Sequence, residues 1–200
     1  MASNLRVVLD DFAPGDNLRD LHQVHGAEVV VVEEQESTER PDADAIVTGR
    51  AGEVLMVRAA DCVPVLLADA EAGVVGAAHC GRPGLAAGVV PETVARMREL
   101  GAGTITAWIG PHVCGRCYEV PQHMQAEVGA AVPASIATTS WGTPSLDLGA
   151  GVRAQLASEG VSVHDVSRCT RETADLYSYR RDGARAGRLA GLIRLREGSR

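Results

Sequence analysis

The sequence contains no lysine; all 19 of its basic residues are arginine. Aromatic side chains are scarce at 3%, with a single Phe at position 12, so a core must be assembled from Val, Leu, Ile and Ala. Basic charge is outnumbered, 19 against 26 acidic residues, for a formal net charge of −7. That balance argues against a nucleic-acid partner, because binding phosphates needs a basic patch. No apolar run approaches the ~18 residues of a membrane helix. The opening residues MASNLRVVLDDFAPG also lack a basic stretch followed by a long apolar one. A cytoplasmic protein with no membrane partner is expected. The five cysteines are an odd number, and a reducing compartment leaves them as thiols, ligands or nucleophiles.

What is present suits one compact domain over residues 1–200, given a hydrophobic content of 46%. An apolar run at Leu5–Leu9 is followed by a Pro14-Gly15 turn. Val29–Val32 is β-branched and reads as a strand, followed by a polar surface loop over Glu33–Asp42 and a short strand within Asp42–Gly49. Residues 55–69 and 74–80 read as two buried strands joined by a turn at Ala70–Gly73. A helix is expected with Pro91 at its first position and Gly101 just past its end. Thr104–Gly110 alternates and reads as a strand. Further helices are expected over Pro121–Ala131 and Ser145–Gly160, the latter capped by Ser145. Strands are expected over Val161–Val166, within Asp175–Gly183 and over Arg188–Leu195. About eight strands and three helices, not strictly alternating, indicate an α+β fold with helices covering a mixed sheet.

Chemistry concentrates where Cys62 interrupts the first buried strand and His79 closes the second. Glycines 76, 81 and 84 crowd the exit, where a backbone must approach something closely. With His25, which precedes a strand, these residues form a long-range set of two imidazoles and one thiol. Zinc accepts such donors, and three protein ligands with an open fourth position define a catalytic site. The residues alone leave a second reading open: a satisfied, partly buried His79 and a Cys62 that acts as a small hydrophobe. Cys80 points to the opposite face if the strand continues. Cys114 and Cys117 form a C-x-x-C, half a zinc site or a redox pair, but no second C-x-x-C exists and a structural role is expected. Cys169, His112, His123 and His164 have no partner in the sequence pattern.

The runs HQVHG (22–26), AADC (59–62), AHCGRPG (78–84), WIGP (108–111), CGRCYEVP (114–121) and SYRRDG (178–183) resemble the laccase-domain (YfiH-type) family, in order and from about residue 20 to the C-terminus. The resemblance implies one zinc ion, with copper as the other metal, on His25, Cys62 and His79. It implies a layered α/β/β/α sandwich similar to the catalytic domain of cytotoxic necrotizing factor. The implied activity is phosphorolysis of purine nucleosides (adenosine, inosine, guanosine, methylthioadenosine), with adenosine deamination beside it. Two departures from the pattern are evident: fewer residues precede HQVHG than is usual, and Arg82 stands where many relatives place Trp. On this reading Arg82, Arg180 and Arg181 are the candidates to bind phosphate, and Asp61 is a candidate to orient a ligand imidazole or to cap a turn.

Two rival activities differ in their demands. A thiol hydrolase or amidase acting on a cell-wall precursor would use Cys62 as nucleophile and His79 as base. A copper-dependent polyphenol oxidase needs many imidazoles, and this chain has six His and no H-x-H pair.

Overall fold

A computed structural model describes residues 2–32 and 40–196. In chain order the strands are β1 (Asn17–Arg19), β2 (Val29–Val31), β3 (Ala45–Thr48), β4 (Glu53–Ala59), β5 (Val63–Asp69), β6 (Val74–Cys80), β7 (Thr106–Ile109), β8 (Ile136–Thr138), β9 (Pro144–Leu146), β10 (Ser162–Asp165) and β11 (Leu189–Arg194). The helices are α1 (Ala2–Phe12), α2 (Arg82–Ala87), α3 (Val89–Glu99), α4 (Gln122–Ala131), α5 (Leu148–Ser158) and the single turn α6 (Tyr179–Asp182).

A six-stranded mixed sheet runs β10-β7-β5-β6-β3-β2, with a three-stranded sheet β1-β4-β11 and a small β8-β9 ribbon beside it. The large sheet is covered on both faces, which explains the near-continuous apolar runs of β5 and β6. On one face Val65, Leu67, Ala78 and Cys80 pack with Leu85, Val94, Met97, Val152 and Leu156 of the helices. On the other, Ile46, Val75 and Ala77 meet Leu55 and Val57 of β4. Each Val, Leu, Ile or Met side chain among these, removed from water, contributes about 1.5–3 kcal/mol. The fold is therefore a mixed α+β arrangement with mixed sheets, as expected.

The β5–β6 hairpin turns at the expected place because Asp69 caps it. One carboxylate oxygen accepts from Glu71 N at 3.0 Å and Ala72 N at 2.9 Å. The other takes Gly103 N and Thr104 N, each at 2.7 Å, and so ties the hairpin to the approach of β7. Register then sets His79 of β6 opposite Pro64 of β5, with Cys80 on the helix-facing side as expected.

Several elements differ from the sequence reading. The helix expected from Pro91 starts earlier and is preceded by a second one, because Gly88 (φ 84°) breaks the run between α2 and α3. Gly101 does close α3 in the left-handed region (φ 98°). The helix expected from Ser145 begins at Leu148, since Ser145 is a strand residue of β9 and Asp147 is the cap, accepting from Ala150 N at 2.7 Å. The segment 175–183 is a loop with one helical turn rather than a strand, capped by Ser178 Oγ accepting from Arg181 N at 3.2 Å. The apolar run at 5–9 lies in α1, which leaves Val7 and Val8 exposed and is tied to β11 where the Arg194 guanidinium lies over the Phe12 ring. Of the expected polar loop, residues 33–39 lie outside the described residues. No helix among the described residues is long and apolar enough to cross a membrane.

Candidate functional site

Three separate stretches bring His25, Cys62 and His79 together. One donor atom from each lies within 4.8 Å of the other two, and the two imidazoles meet edge to face at a centroid distance of 4.9 Å. His79 is delivered by the next-to-last position of a fully buried strand, β6. Cys62 sits in the tight turn between β4 and β5, and His25 sits in the loop before β2.

That loop is held by a residue the sequence reading missed. Asp44, fully buried just before β3, accepts from His79 Nδ1 at 2.8 Å, His25 N at 2.9 Å, Gly26 N at 2.6 Å and Val24 N at 3.2 Å. It fixes the His79 tautomer with the proton on Nδ1, which leaves Nε2 as the nitrogen able to take a metal. It also holds His25 in the left-handed region (φ 63°), where a residue with a Cβ is strained. The available signal was an acid embedded in the apolar lead-in DADAIV. Gln23 completes the clamp by giving its Nε2 to Arg58 O at 2.7 Å and taking Arg58 N at 2.8 Å. At Gly81 a Cβ would lie 2.7 Å from His25 Cδ2 and 3.3 Å from Cys62 Sγ. At Gly84 it would lie 2.8 Å from the Gly26 carbonyl oxygen. The glycines of AHCGRPG are there so that the two loops can touch.

Asp61 does not orient an imidazole. Its carboxylate accepts from Thr170 Oγ1 at 2.6 Å and from Arg180 N at 2.7 Å, and its own backbone is left-handed (φ 93°). Its work is to bring the 170–180 segment against the turn that presents Cys62.

Burial pushes the Cys62 thiol up, but hydrogen bonding to His25 and then His79 outweighs it and brings the group down to about 7. Burial pushes His79 down, while Asp44 and then Cys62 raise it to about 9. A thiolate and an imidazolium thus face each other near neutral pH. One soft sulfur and two imidazole nitrogens, oriented by a buried carboxylate, fit a zinc-type ion with room for a fourth ligand.

The group lies in a cavity of about 1020 Å³ whose walls include Arg58, Tyr118, Arg180 and Arg188. Of the three arginines expected there, only Arg180 lines it, with its guanidinium 4.5 Å from the Tyr118 ring centroid. Arg82 stands outside the lining, near enough for its charge to act on the Tyr118 phenol. Arg181 turns away and donates to the carbonyls of Thr170 (2.9 Å), Thr173 (3.1 Å) and Leu176 (2.7 Å), so it braces a loop. Arg58 and Arg188 were missed. Arg58 is partly engaged by Asp20 at 3.3 Å, and Arg188 donates to the Ala186 and Gly187 carbonyls. Burial, then the Cys62 charge, raises the Tyr118 phenol, which keeps its proton.

Residues 1–196 match the family model described as multi-copper polyphenol oxidoreductase laccase. The chain is 56% identical over 179 residues to a purine nucleoside phosphorylase of Streptomyces coelicolor, covering 86% of this chain and 73% of that protein. It is 46% identical over 183 residues to one from Mycobacterium bovis, covering 90% and 73%. A crystal structure of a Neisseria meningitidis protein superposes with a TM-score of 0.84 at 34% identity, over 96% of this chain and 80% of that one. YlmD from Geobacillus stearothermophilus gives 0.84 at 31%, over 97% and 79%.

Proposed function

The chain belongs to the multi-copper polyphenol oxidoreductase laccase family, and on that premise we propose that it is a metal-dependent purine nucleoside phosphorylase. The observation that carries the reading is one cavity that holds both a metal-type donor set, His25, Cys62 and His79, and arginines able to meet an anion. The names carried by its relatives support the same activity. The two packed clusters share the large sheet, which supports reading the chain as one domain.

In phosphorolysis the C1′–N9 bond of the nucleoside breaks, a phosphate oxygen bonds to C1′, and the proton of the phosphate ends on the departing purine. Arg180 and Arg188 supply guanidinium donors matched to phosphate. Tyr118 offers a ring face and a protonated hydroxyl to the nucleoside. Asp44 holds the Nδ1 proton of His79 and keeps His25 in place, while Asp61 holds the Arg180 backbone. A zinc ion on His25, Cys62 and His79 would supply Lewis-acid polarisation to the reacting oxygen.

The test incubates zinc-loaded protein with adenosine, with and without phosphate. The expected product is adenine together with ribose 1-phosphate, formed only when phosphate is present, and Cys62→Ala should abolish it. Inosine formed without phosphate would assign deamination instead. Equal turnover by wild type and Cys62→Ala would remove the trio from the reaction.

One observation favours a second reading: the Cys62 thiol near 7 beside a His79 near 9 is also the signature of a thiol hydrolase. A chelator separates the two, since it stops the metal enzyme and spares the thiol one. The copper oxidase reading is weaker. Among the described residues, the one metal-type group that contains histidine has only two imidazoles, too few for a multi-copper cluster.

A further inference from the structure

Three of the four cysteines outside the cavity gather at a second point, while Cys80 is buried in the core. Cys114 and Cys117 lie in a turn closed by Cys117 N and Tyr118 N donating to the Cys114 carbonyl at 2.9 and 3.0 Å. Cys169 is brought beside them by a short parallel bridge to His112, in which Thr170 N donates to His112 O at 3.0 Å and His112 N to Arg168 O at 3.2 Å. The Cys169 sulfur accepts the Cys114 N–H at 3.5 Å. A turn later Glu172 approaches the Cys114 sulfur, with its Oε2 at 3.9 Å. One donor atom from each of these four residues lies within 4.8 Å of the other three.

The second C-x-x-C absent from the sequence is replaced in space by a C-x-x-E at 169–172. Two short loops, each offering two ligands at that spacing, are how closed zinc sites are assembled. A purely apolar role does not account for the set: Cys114 and Cys169 are half-buried rather than buried, and Glu172 is exposed. A disulfide does not account for it either, because all five cysteines are free and a single bridge would leave a third sulfur and a carboxylate converging for no purpose.

We propose that Cys114, Cys117, Cys169 and Glu172 bind one zinc ion in a closed structural site, separate from the His25–Cys62–His79 group. Zinc–sulfur bonds of about 2.3 Å put the sulfurs of a tetrahedral site about 3.8 Å apart, so the donors need close up by only about 1 Å. Four protein ligands leave no position for substrate, in contrast to the three donors of the cavity.

The location gives the ion a task. Cys117 precedes Tyr118, which lines the cavity. Cys169 precedes Thr170, whose hydroxyl holds Asp61, the residue that in turn holds the Arg180 backbone. The ion is therefore a clip that sets the cavity wall from behind. This consequence rests on the phosphorolysis reading, whereas the site itself does not.

The experiment measures zinc per chain on full-length wild type, Cys62→Ser, Cys169→Ser and Glu172→Gln, and replaces zinc by cobalt to read thiolate-to-metal charge-transfer absorption. Two zinc ions per chain are expected for wild type, one for each donor group. Cys62→Ser should keep one, with the stronger charge-transfer bands of a three-thiolate site. Cys169→Ser should keep one with the weaker bands of a single thiolate. Glu172→Gln alters an exposed side chain and should fold regardless; losing a direct ligand should weaken the second ion's affinity by about tenfold or more. Cobalt bands unchanged in both Cys169→Ser and Glu172→Gln, or a Cys114–Cys169 disulfide in freshly isolated protein, would overturn the proposal. A wild type whose single ion survives Cys62→Ser but is lost in Cys169→Ser would sink the catalytic metal reading and leave this one standing.

Discussion

Replacing Asp44 by Asn changes one atom and tests how the cavity is held. One carboxylate oxygen of Asp44 accepts from His79 Nδ1 and His25 N, and the other accepts from Gly26 N and Val24 N. Asn has a single acceptor oxygen, so whichever way its amide lies, an NH₂ group faces two donors. If it faces Gly26 and Val24, two N–H groups whose bonds are part-buried lose their partner, at the lower end of about 1–3 kcal/mol each. If it faces His79, the imidazole must move its proton to Nε2, the nitrogen a metal needs. The first outcome predicts a loss of about 2 kcal/mol in urea unfolding of the metal-free protein. Either predicts zinc affinity ten- to a hundredfold weaker by competition with a chromogenic chelator, the range seen when a ligand's outer partner is removed. The pH dependence has a definite sign. Burial raises the Asp44 carboxyl, but its bonds to His79, Gly26 and His25 outweigh this and leave it below its ordinary value. Its contribution is therefore present above the unfolded pKa of about 3.9 and is lost as pH falls through the lower folded value. The gap between wild type and variant should close below pH ~4. An Asn variant within about 0.5 kcal/mol of wild type at neutral pH, with unchanged zinc affinity, would refute this account of Asp44.

Four further outcomes follow from the same geometry. Gly81→Ala should leave the circular dichroism spectrum native yet displace His25, whose ring lies 2.7 Å from the new Cβ, and so abolish zinc binding at the cavity; a crystal structure with His25 unmoved would contradict it. In metal-free protein Cys62 should be alkylated with a midpoint at about pH 7, well below an ordinary thiol at about 8.5, and zinc should protect it; mass mapping of the modified cysteine checks both points. Arg188→Ala should raise the KM for phosphate about tenfold, a loss near 1.4 kcal/mol, with kcat little changed. Arg181→Ala should leave KM unaltered but speed proteolysis within residues 170–183, because Arg181 binds that loop's carbonyls.

The elements legible in the sequence were those with local causes. The β5–β6 hairpin was readable from its apolar runs and the turn residues between them, and the end of α3 from Gly101. The start of α5 was not, because Ser145 and Asp147 are both acceptable caps by type. Only the pairing of β8 with β9 decides between them. The same holds at the site. His25, Cys62 and His79 stood out as reactive side chains in apolar or glycine-rich surroundings. Asp44 did not, since nothing local reveals that four donors from two other segments converge on it. Arg180 and Arg181 are adjacent and alike in sequence. The turn of α6 sends one into the cavity and the other onto carbonyls, a difference set by the Ser178 cap and by Asp61 far upstream.

That division points to how the cavity is preorganised. Among the described residues, two non-glycine positions adopt positive φ, His25 and Asp61, and both border the cavity. Each such conformation costs on the order of 1–3 kcal/mol and persists only where its surroundings over-determine it. Here the restraint in both cases comes from a buried carboxylate: Asp44 gathers the loop of His25, and Asp61 fastens its own turn to Thr170 and Arg180. Neither acid needs to touch substrate. One positions the imidazole side of the site, the other the thiol turn and the anion-facing wall, and the two are joined through Cys62. Strain confined to these two points, each braced by charge-assisted bonds, lets the site hold its geometry before any ligand arrives.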